Sequence, residues 1–226
     1  MTREKLQSAT RPHGLRILGE FSVTEKVREE IPEVHGKPAA HLFLIGNAGS
    51  EMWPAFRDSP EFADGNPDPL NRWSARIGEE LAAQFSARAV FPFGMPHRPF
   101  VRWGKRAGLQ NSALGMLIHP EFGLWHAYRF ALIFAHAPAQ SVAKLKTDIC
   151  ANCAEKPCLR ACPVSAFTGR EYDARACFNY LRESENSDCM RGGCLARRAC
   201  PHSAYRYAPP HAAFHMRAFV AAPAAD

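Results

Sequence analysis

The stretch CANCAEKPCLRACP at residues 150–163 decides how this chain is read. Its cysteines, Cys150, Cys153, Cys158 and Cys162, are spaced C-x2-C-x4-C-x3-C-P. A second group follows at Cys177, Cys189, Cys194 and Cys200, and it too ends in Cys-Pro, at Pro201. Cys162-Pro163-Val164-Ser165-Ala166 and Cys200-Pro201-His202-Ser203-Ala204 are two copies of C-P-x-S-A. The bacterial ferredoxin run is C-x2-C-x2-C-x3-C-P, in which three cysteines wrap one 4Fe-4S cluster and the fourth crosses to another. A tight loop presents three sulfurs to three irons of a cube but cannot reach the last one. Proline after the crossing cysteine stiffens the exit.

Applied here, the cross-over assigns Cys150, Cys153, Cys158 and Cys200 to one cluster and Cys162, Cys177, Cys189 and Cys194 to the other. All eight cysteines of the chain are used, and none lies in the first 149 residues. The alternative metal is zinc, since C-x2-C pairs also build tetrahedral four-thiolate sites. Zinc needs no C-x3-C-P ending, still less two. Disulfides are a further alternative, disfavoured in a reducing compartment. The x4 gap before Cys158 and the longer gaps of the second group depart from the standard run, so the ligand-to-cluster assignment is less firmly read than the clusters themselves.

Working outward, the 226 residues allow one large domain or a domain plus a small module. Hydrophobic residues are 46% and charged ones 22%, which excludes disordered and fibrous classes. The formal charge of +6 and pI near 9.0 would suggest an acidic partner. Eight thiolates around two clusters lower that net charge to about +2, and the basic signal fades. The N-terminal MTREKLQSATRPHG has no apolar core of a secretory signal. Residues 114–137 are apolar but broken by His119, Pro120, Glu121, His126, Arg129 and His136, so no membrane span is expected. The cytoplasm is the expected location.

Residues 15–23 and 41–45 read as strands. Asp68-Pro69 predicts an N-cap and first helical residue, and Leu70, Trp73, Ile77, Leu81 and Phe85 recur at helical spacing to about Ala87. Residues 89–91 predict another strand, followed by a proline-rich loop. Residues 114–118 and 124–134 predict a β-hairpin, with Tyr128, Phe130, Leu132 and Phe134 on one face. A polar segment at 144–148 suggests a boundary. The expected division is an α+β domain over 1–145, a two-cluster module over 146–207 and an Ala/Pro-rich wrapping tail over 208–226.

Outside the cysteines, Gly46-Asn47-Ala48-Gly49-Ser50 reads as an ordinary turn rather than a phosphate cradle, since it lacks the dinucleotide fingerprint. His97, Arg98, Arg102, Lys105 and Arg106 read as a solvated basic loop, with an anion-binding lining as the alternative. Trp73, Trp103 and Trp125 read as core aromatics, and His119, His126 and His136 as structural histidines.

The segment RWGKRAGLQNSALGMLIHPEFGLWHAYRFALIF at 102–134, the two cysteine groups and YDARACFNYL at 172–181 resemble the epoxyqueuosine reductase family. The single cysteine within D-A-R-x-C is the most specific element outside the ferredoxin runs. The resemblance implies an antiparallel-sheet domain of nitroreductase-like, cobalamin-reductase type, followed by a two-cluster ferredoxin-like module. It implies electrons passing through the clusters to a corrinoid (cobalamin) in the first domain. It also implies an aspartate as proton donor in the loop ahead of Trp103, where this chain has Gly94 within FPFGMPHRPF. His97 or Tyr128 would have to replace it. The tRNA-acting members continue into a helical-repeat domain, whereas this sequence stops 26 residues after Cys200, which argues against a tRNA partner. The expected function is an iron-sulfur oxidoreductase that meets an electron donor or acceptor protein. The alternatives are a ferredoxin-like carrier without catalysis of its own and a zinc-stabilised interaction module.

Overall fold

The computed structural model describes residues 2–139, 145–146 and 148–222. The chain divides into two compact units, residues 1–109 with 126–146 and residues 110–125 with 147–226. The boundary expected near 140–148 falls in a segment of which 140–144 and 147 lie outside the described residues.

The first unit begins with α1 (Arg3–Thr10), capped by the Thr2 hydroxyl. Strands β1 (Leu15–Ser22) and β2 (His41–Ala48) follow, then the short helices α2 (Trp53–Arg57) and α3 (Pro60–Ala63). Next come α4 (Pro69–Phe85), β3 (Arg88–Val90) and α5 (Phe100–Arg106). Two-residue strands β4 (Gln110–Asn111) and β5 (Leu117–Ile118) belong to the second unit, and β6 (His126–Phe134) returns to the first. The sheet order is β1-β2-β6-β3, antiparallel throughout. This is the α+β, antiparallel-sheet class that the sequence predicted.

Burial explains the strands. All eight residues of β2 are buried, as are both faces of β6 from Phe130 to Phe134, because each lies between two neighbours. The expected alternation along 124–134 is therefore lost: the faces of β6 are covered, in part by α4, as well as its edges being paired. A bulge at Arg129 shifts the register between Ile45↔Phe130 and Gly46↔Tyr128, which also breaks the period of two. Gly46 lies where a Cβ would meet the Ala127 carbonyl oxygen at 2.0 Å. Thus the Gly46-Asn47-Ala48 half of the predicted turn is buried strand, and only Gly49 and Ser50 turn the chain.

The helix predicted from Asp68 is α4, with Leu70, Trp73, Ile77 and Leu81 buried, and it packs across β3 and β6. Asp68 is not its capping side chain: it is left-handed, φ 52°, and makes no side-chain cap bond. Arg72 does the local work instead, donating to the Asp64 carboxylate at 2.7 Å and to the carbonyls of Glu61 and Pro67.

In the second unit, β5 pairs with β4, and β6 pairs with β2 and β3, so the predicted 114–118/124–134 hairpin does not form. The turn between them closes on itself through reciprocal His119–Gly123 backbone bonds at 2.9 Å. Within it, His119 Nδ1 accepts from the N–H groups of Glu121 and Phe122 at 3.1 and 3.2 Å, and its ring stacks on Phe122. The domain division also moves. Leu114, Ile118 and Leu124 pack with Cys158, Ala196 and Cys200, so 110–125 joins the cysteine-rich unit rather than the sheet. Arg197 secures that packing: its Nε donates to Leu124 O at 3.0 Å, and its guanidinium lies 4.4 Å from the Trp125 ring and 4.6 Å from that of Tyr207.

Four helices lie among the cysteines: α6 (Pro157–Arg160) holds Cys158, α7 (Ala174–Glu183) Cys177 and α8 (Asp188–Gly192) Cys189, while Cys194 precedes α9 (Leu195–Arg198) and the other four lie outside helices. The expected tail is largely α10 (Pro209–Ala221), which packs on α8 and α7 with His211 and Ala212 buried. Pro209 and Pro210 sit in its first turn, where a missing N–H costs nothing. No helix among the described residues is long and apolar enough to cross a membrane.

Two stability effects are expected. Gly46→Ala should cost about 2–4 kcal/mol, since the new methyl overlaps backbone in a fully buried strand. Gly94→Ala, at φ +74° with open space around it, should cost only about 1 kcal/mol; chemical denaturation of both variants measures the contrast.

Burial lowers the His119 pKa from 6.5 to about 4. On acidification the unfolded chain therefore takes up this proton first. The stabilisation is complete above the unfolded pKa and lost as pH falls through the folded one, about 3 kcal/mol in all. Unfolding curves between those two values should show this slope in the wild type and a weaker one in His119→Asn.

Candidate metal centre

All eight cysteines are free thiols of the second unit. Local caps place several of them. The Asp173 carboxylate caps α7 by accepting from Ala176 N at 2.8 Å, which sets Cys177 in the first turn. Thus the aspartate of D-A-R-x-C is a structural cap. Ser187 caps α8 and positions Cys189; Cys194 itself is the N-cap residue of α9. Lys156, left-handed at φ 38°, and Pro157 turn the chain into α6 at Cys158.

The sulfurs sort by electrostatic neighbour. Cys158 feels Cys200, Cys150 and Cys153, and Cys200 feels Cys150 and Cys153. Cys177 feels Cys162, Cys189 feels Cys177 and Cys162, and Cys194 feels Cys189 and Cys177. The grouping is thus Cys150, Cys153, Cys158, Cys200 against Cys162, Cys177, Cys189, Cys194. The chain's end returns Cys200 to the first run, while Cys162 leaves it. The second set lines a small cavity of about 20 Å³, walled by apolar groups including Phe167, Leu181, Leu195 and Met216. Among the described residues no group of three or more His, Cys, Asp and Glu donors is spaced to hold a metal ion.

Burial, and then the neighbouring sulfurs, push the thiols of Cys158, Cys177, Cys189 and Cys200 up; Cys194 rises to about 11, mainly by burial. Hydrogen bonds act the other way. The Ala166 N–H donates to Cys162 Sγ at 3.3 Å. The nearby N–H groups of Leu195, Ala196 and Arg197 hold the Cys189 and Cys194 thiols down, those of Leu159 and His202 do so for Cys158 and Cys200, and the Tyr172 hydroxyl for Cys177. Sequence reasoning missed Tyr172. The available signal was its place directly before D-A-R-x-C, which needs the fold of 166–173 to become meaningful.

The other candidates scatter. His97 is exposed, Arg102 pairs with Glu30 at 2.9 Å, and Lys105 is exposed, so the basic loop is largely solvated. Trp73, Trp103 and Trp125 are buried core residues. His119 is structural, His126 is buried and His136 is exposed. Gly94 is exposed with nothing near it. Tyr128 sits in β6 near the Phe100 ring, its buried hydroxyl without a hydrogen-bond partner among the described residues and its pKa raised by burial.

No family model matches this sequence, and no curated protein matches it. Solved structures do. One is epoxyqueuosine reductase with a tRNA-Tyr epoxyqueuosine-modified tRNA stem loop, at TM-score 0.51 and 16% identity, covering 91% of this chain and 66% of that one. Another is epoxyqueuosine reductase from Streptococcus thermophilus, at TM-score 0.51 and 15% identity over 88% and 65%. A third is selenomethionine-labelled epoxyqueuosine reductase, at TM-score 0.50 and 16% identity over 92% and 67%. The chain spans about two thirds of the length of these structures. The argument against a tRNA partner, drawn from where the sequence stops, is overturned: a structure of similar fold is one with a tRNA stem loop. The antiparallel sheet and the matches together show that this chain has the epoxyqueuosine reductase-like fold.

Proposed function

We propose that the chain is an iron-sulfur reductase holding two 4Fe-4S clusters, one on Cys150, Cys153, Cys158 and Cys200 and the other on Cys162, Cys177, Cys189 and Cys194. The observation that carries the reading is the sorting of eight free thiols into two sets of four that interleave in sequence. The donor set fits. Each set supplies the four thiolates a cubane needs, and N–H and O–H donors already point at the sulfurs. When bound, such clusters supply reversible one-electron storage. The protein's part is to gather the thiolates, offset their charge with hydrogen bonds and stiffen both exits with Pro163 and Pro201. The module over 146–207 would then extend to include 110–125, its apolar wall.

One cavity of the sheet unit, lined by Glu33, His35, Glu79 and Arg88, is charged where a macrocycle calls for apolar walls and does not fit a corrinoid. No step is routed through it. Of the two groups that could supply the proton, His97 is exposed, and Tyr128 is protonated but, with burial pushing its pKa up, a weak acid that yields its proton only to a strongly basic developing anion. The substrate class follows from the likeness to a reductase with a modified tRNA stem loop: an epoxide-bearing modified nucleoside in tRNA, reduced in the cytoplasm with electrons from a partner protein. The exposed, acid-free Gly94 favours the second reading, a ferredoxin-like carrier that passes electrons to a separate reductase.

Anaerobic reconstitution should yield on the order of eight irons per chain with a broad absorbance near about 400 nm. Cys162→Ser and Cys177→Ser should then remove the same half of the signal, and Cys153→Ser the other half. Stoichiometric zinc without iron would sink the reading; loss of the same half in Cys162→Ser and Cys153→Ser would sink the cross-over.

Tyr128→Phe separates enzyme from carrier. Removing a hydroxyl that has no partner should change stability by less than about 1 kcal/mol and leave the iron in place. As a proton donor it should lower single-turnover reduction of an epoxyqueuosine stem loop by roughly 10²-fold or more. No reduction by the wild type, together with rapid electron exchange with an added reductase, would favour the carrier.

A further inference from the structure

Two histidines of the second unit have no part in the reading of the cysteines. His211 and His215 stand four residues apart in α10, so the helix sets both side chains on one face. Their Nε2 atoms lie 2.9 Å apart, while the ring centroids are 4.8 Å apart with 44° between the planes. The two Nε2 atoms are therefore the near corners of the pair. In neutral imidazoles at this distance, one N–H donates to the lone pair of the other ring.

Aromatic packing holds the pair in place. The His211 ring is fully buried and stacks on Tyr207, with centroids 4.1 Å apart and 20° between the planes. Tyr207 in turn meets the Trp125 ring edge-on at 5.3 Å and lies 4.6 Å from the Arg197 guanidinium. His215 lies 5.6 Å from the Tyr207 ring and is only half-buried, so the pair is not sealed from solvent. Folding has thus already ordered both rings, and a ligand that uses them meets little further entropic cost.

Neutral imidazole nitrogen suits nickel, copper and zinc, and the metal–nitrogen bond is about 2.0–2.1 Å long. Two such bonds at a right angle place their nitrogens about 2.9 Å apart, and at the tetrahedral angle about 3.3–3.4 Å. The observed separation equals the first value and is a short rotamer adjustment from the second. We propose that His211 and His215 form a two-histidine site for a divalent transition metal of the nickel, copper and zinc series. On binding, the proton held between the two Nε2 atoms moves to the Nδ1 of its own ring, so each Nε2 turns a lone pair to the ion. No proton leaves the pair, and nothing is oxidised or reduced. Among the described residues no third His, Cys, Asp or Glu completes the set, so water takes the remaining positions. The ion clasps one turn of α10 and stabilises the folded chain by mass action. The eight cysteines take no part, and the site stands whichever way they are read.

The test is calorimetric titration of the anaerobically reconstituted full chain with Ni2+, and with Mg2+, which prefers oxygen ligands, as the control. The wild type should take up one equivalent of Ni2+ that His215→Gln binds about 10²-fold more weakly, because a single imidazole lacks the gain of chelation. His215→Glu matches Gln in size but offers a carboxylate donor, so it should bind Ni2+ more tightly than His215→Gln, a difference that a packing role for His215 would not produce. His136→Gln, at an exposed histidine, should leave the affinity unchanged. The cysteines are common to all these chains, so any Ni2+ they hold cancels from the comparison. Equal affinity in the wild type and a folded His215→Gln, or Glu binding no better than Gln, overturns the proposal and leaves a hydrogen-bonded pair only. Should both variants at 215 fail to fold, the wild type decides: Ni2+ but not Mg2+ should raise its denaturation midpoint, and no rise overturns the proposal.

Discussion

Charge on sulfur is the constraint from which the second unit follows. Thiols crowded together in an apolar setting resist ionisation, as the raised Cys194 and its neighbours show. Two remedies exist: a cationic body that the thiolates ligate, and hydrogen-bond donors that spread their charge. The short helices α6 to α9 are arranged for both. The first turns of α6 and α9 set N–H groups beside Cys158 and beside Cys189 and Cys194, while those of α7 and α8 are capped by Asp173 and Ser187.

The same constraint explains the claim of this unit on residues 110–125. Cys158 and Cys200 need apolar cover on one side, and Leu114, Ile118 and Leu124 provide it. Once those side chains are committed there, the segment cannot also serve as a hairpin partner for β6. Arg197, held between the Trp125 and Tyr207 rings and bonded to Leu124 O, ties the cover to the helix between Cys194 and Cys200. One arginine thereby links the aromatic packing to the spacing of the ligands.

In the sheet unit the governing fact is the central position of β2 and β6. Burial on both faces calls for glycine at residue 46, where β6 approaches too closely for a side chain, and it strands the Tyr128 hydroxyl away from water. A buried phenol without a partner costs stability.

The sequence by itself determined the spacing of the eight cysteines, their two Cys-Pro endings, the first strands and the α4 stripe, because spacing and periodicity are local properties. Tertiary structure alone decided the rest. Whether 114–118 pairs with β6 or covers the cysteines depends on a competition between distant apolar surfaces. Whether Asp68 caps its helix depends on Arg72 gathering the preceding loop. Tyr172 met Phe167, ring on ring, only when the chain folded back at Gly169, a contact that no residue pattern announces because it depends on the path of the whole turn.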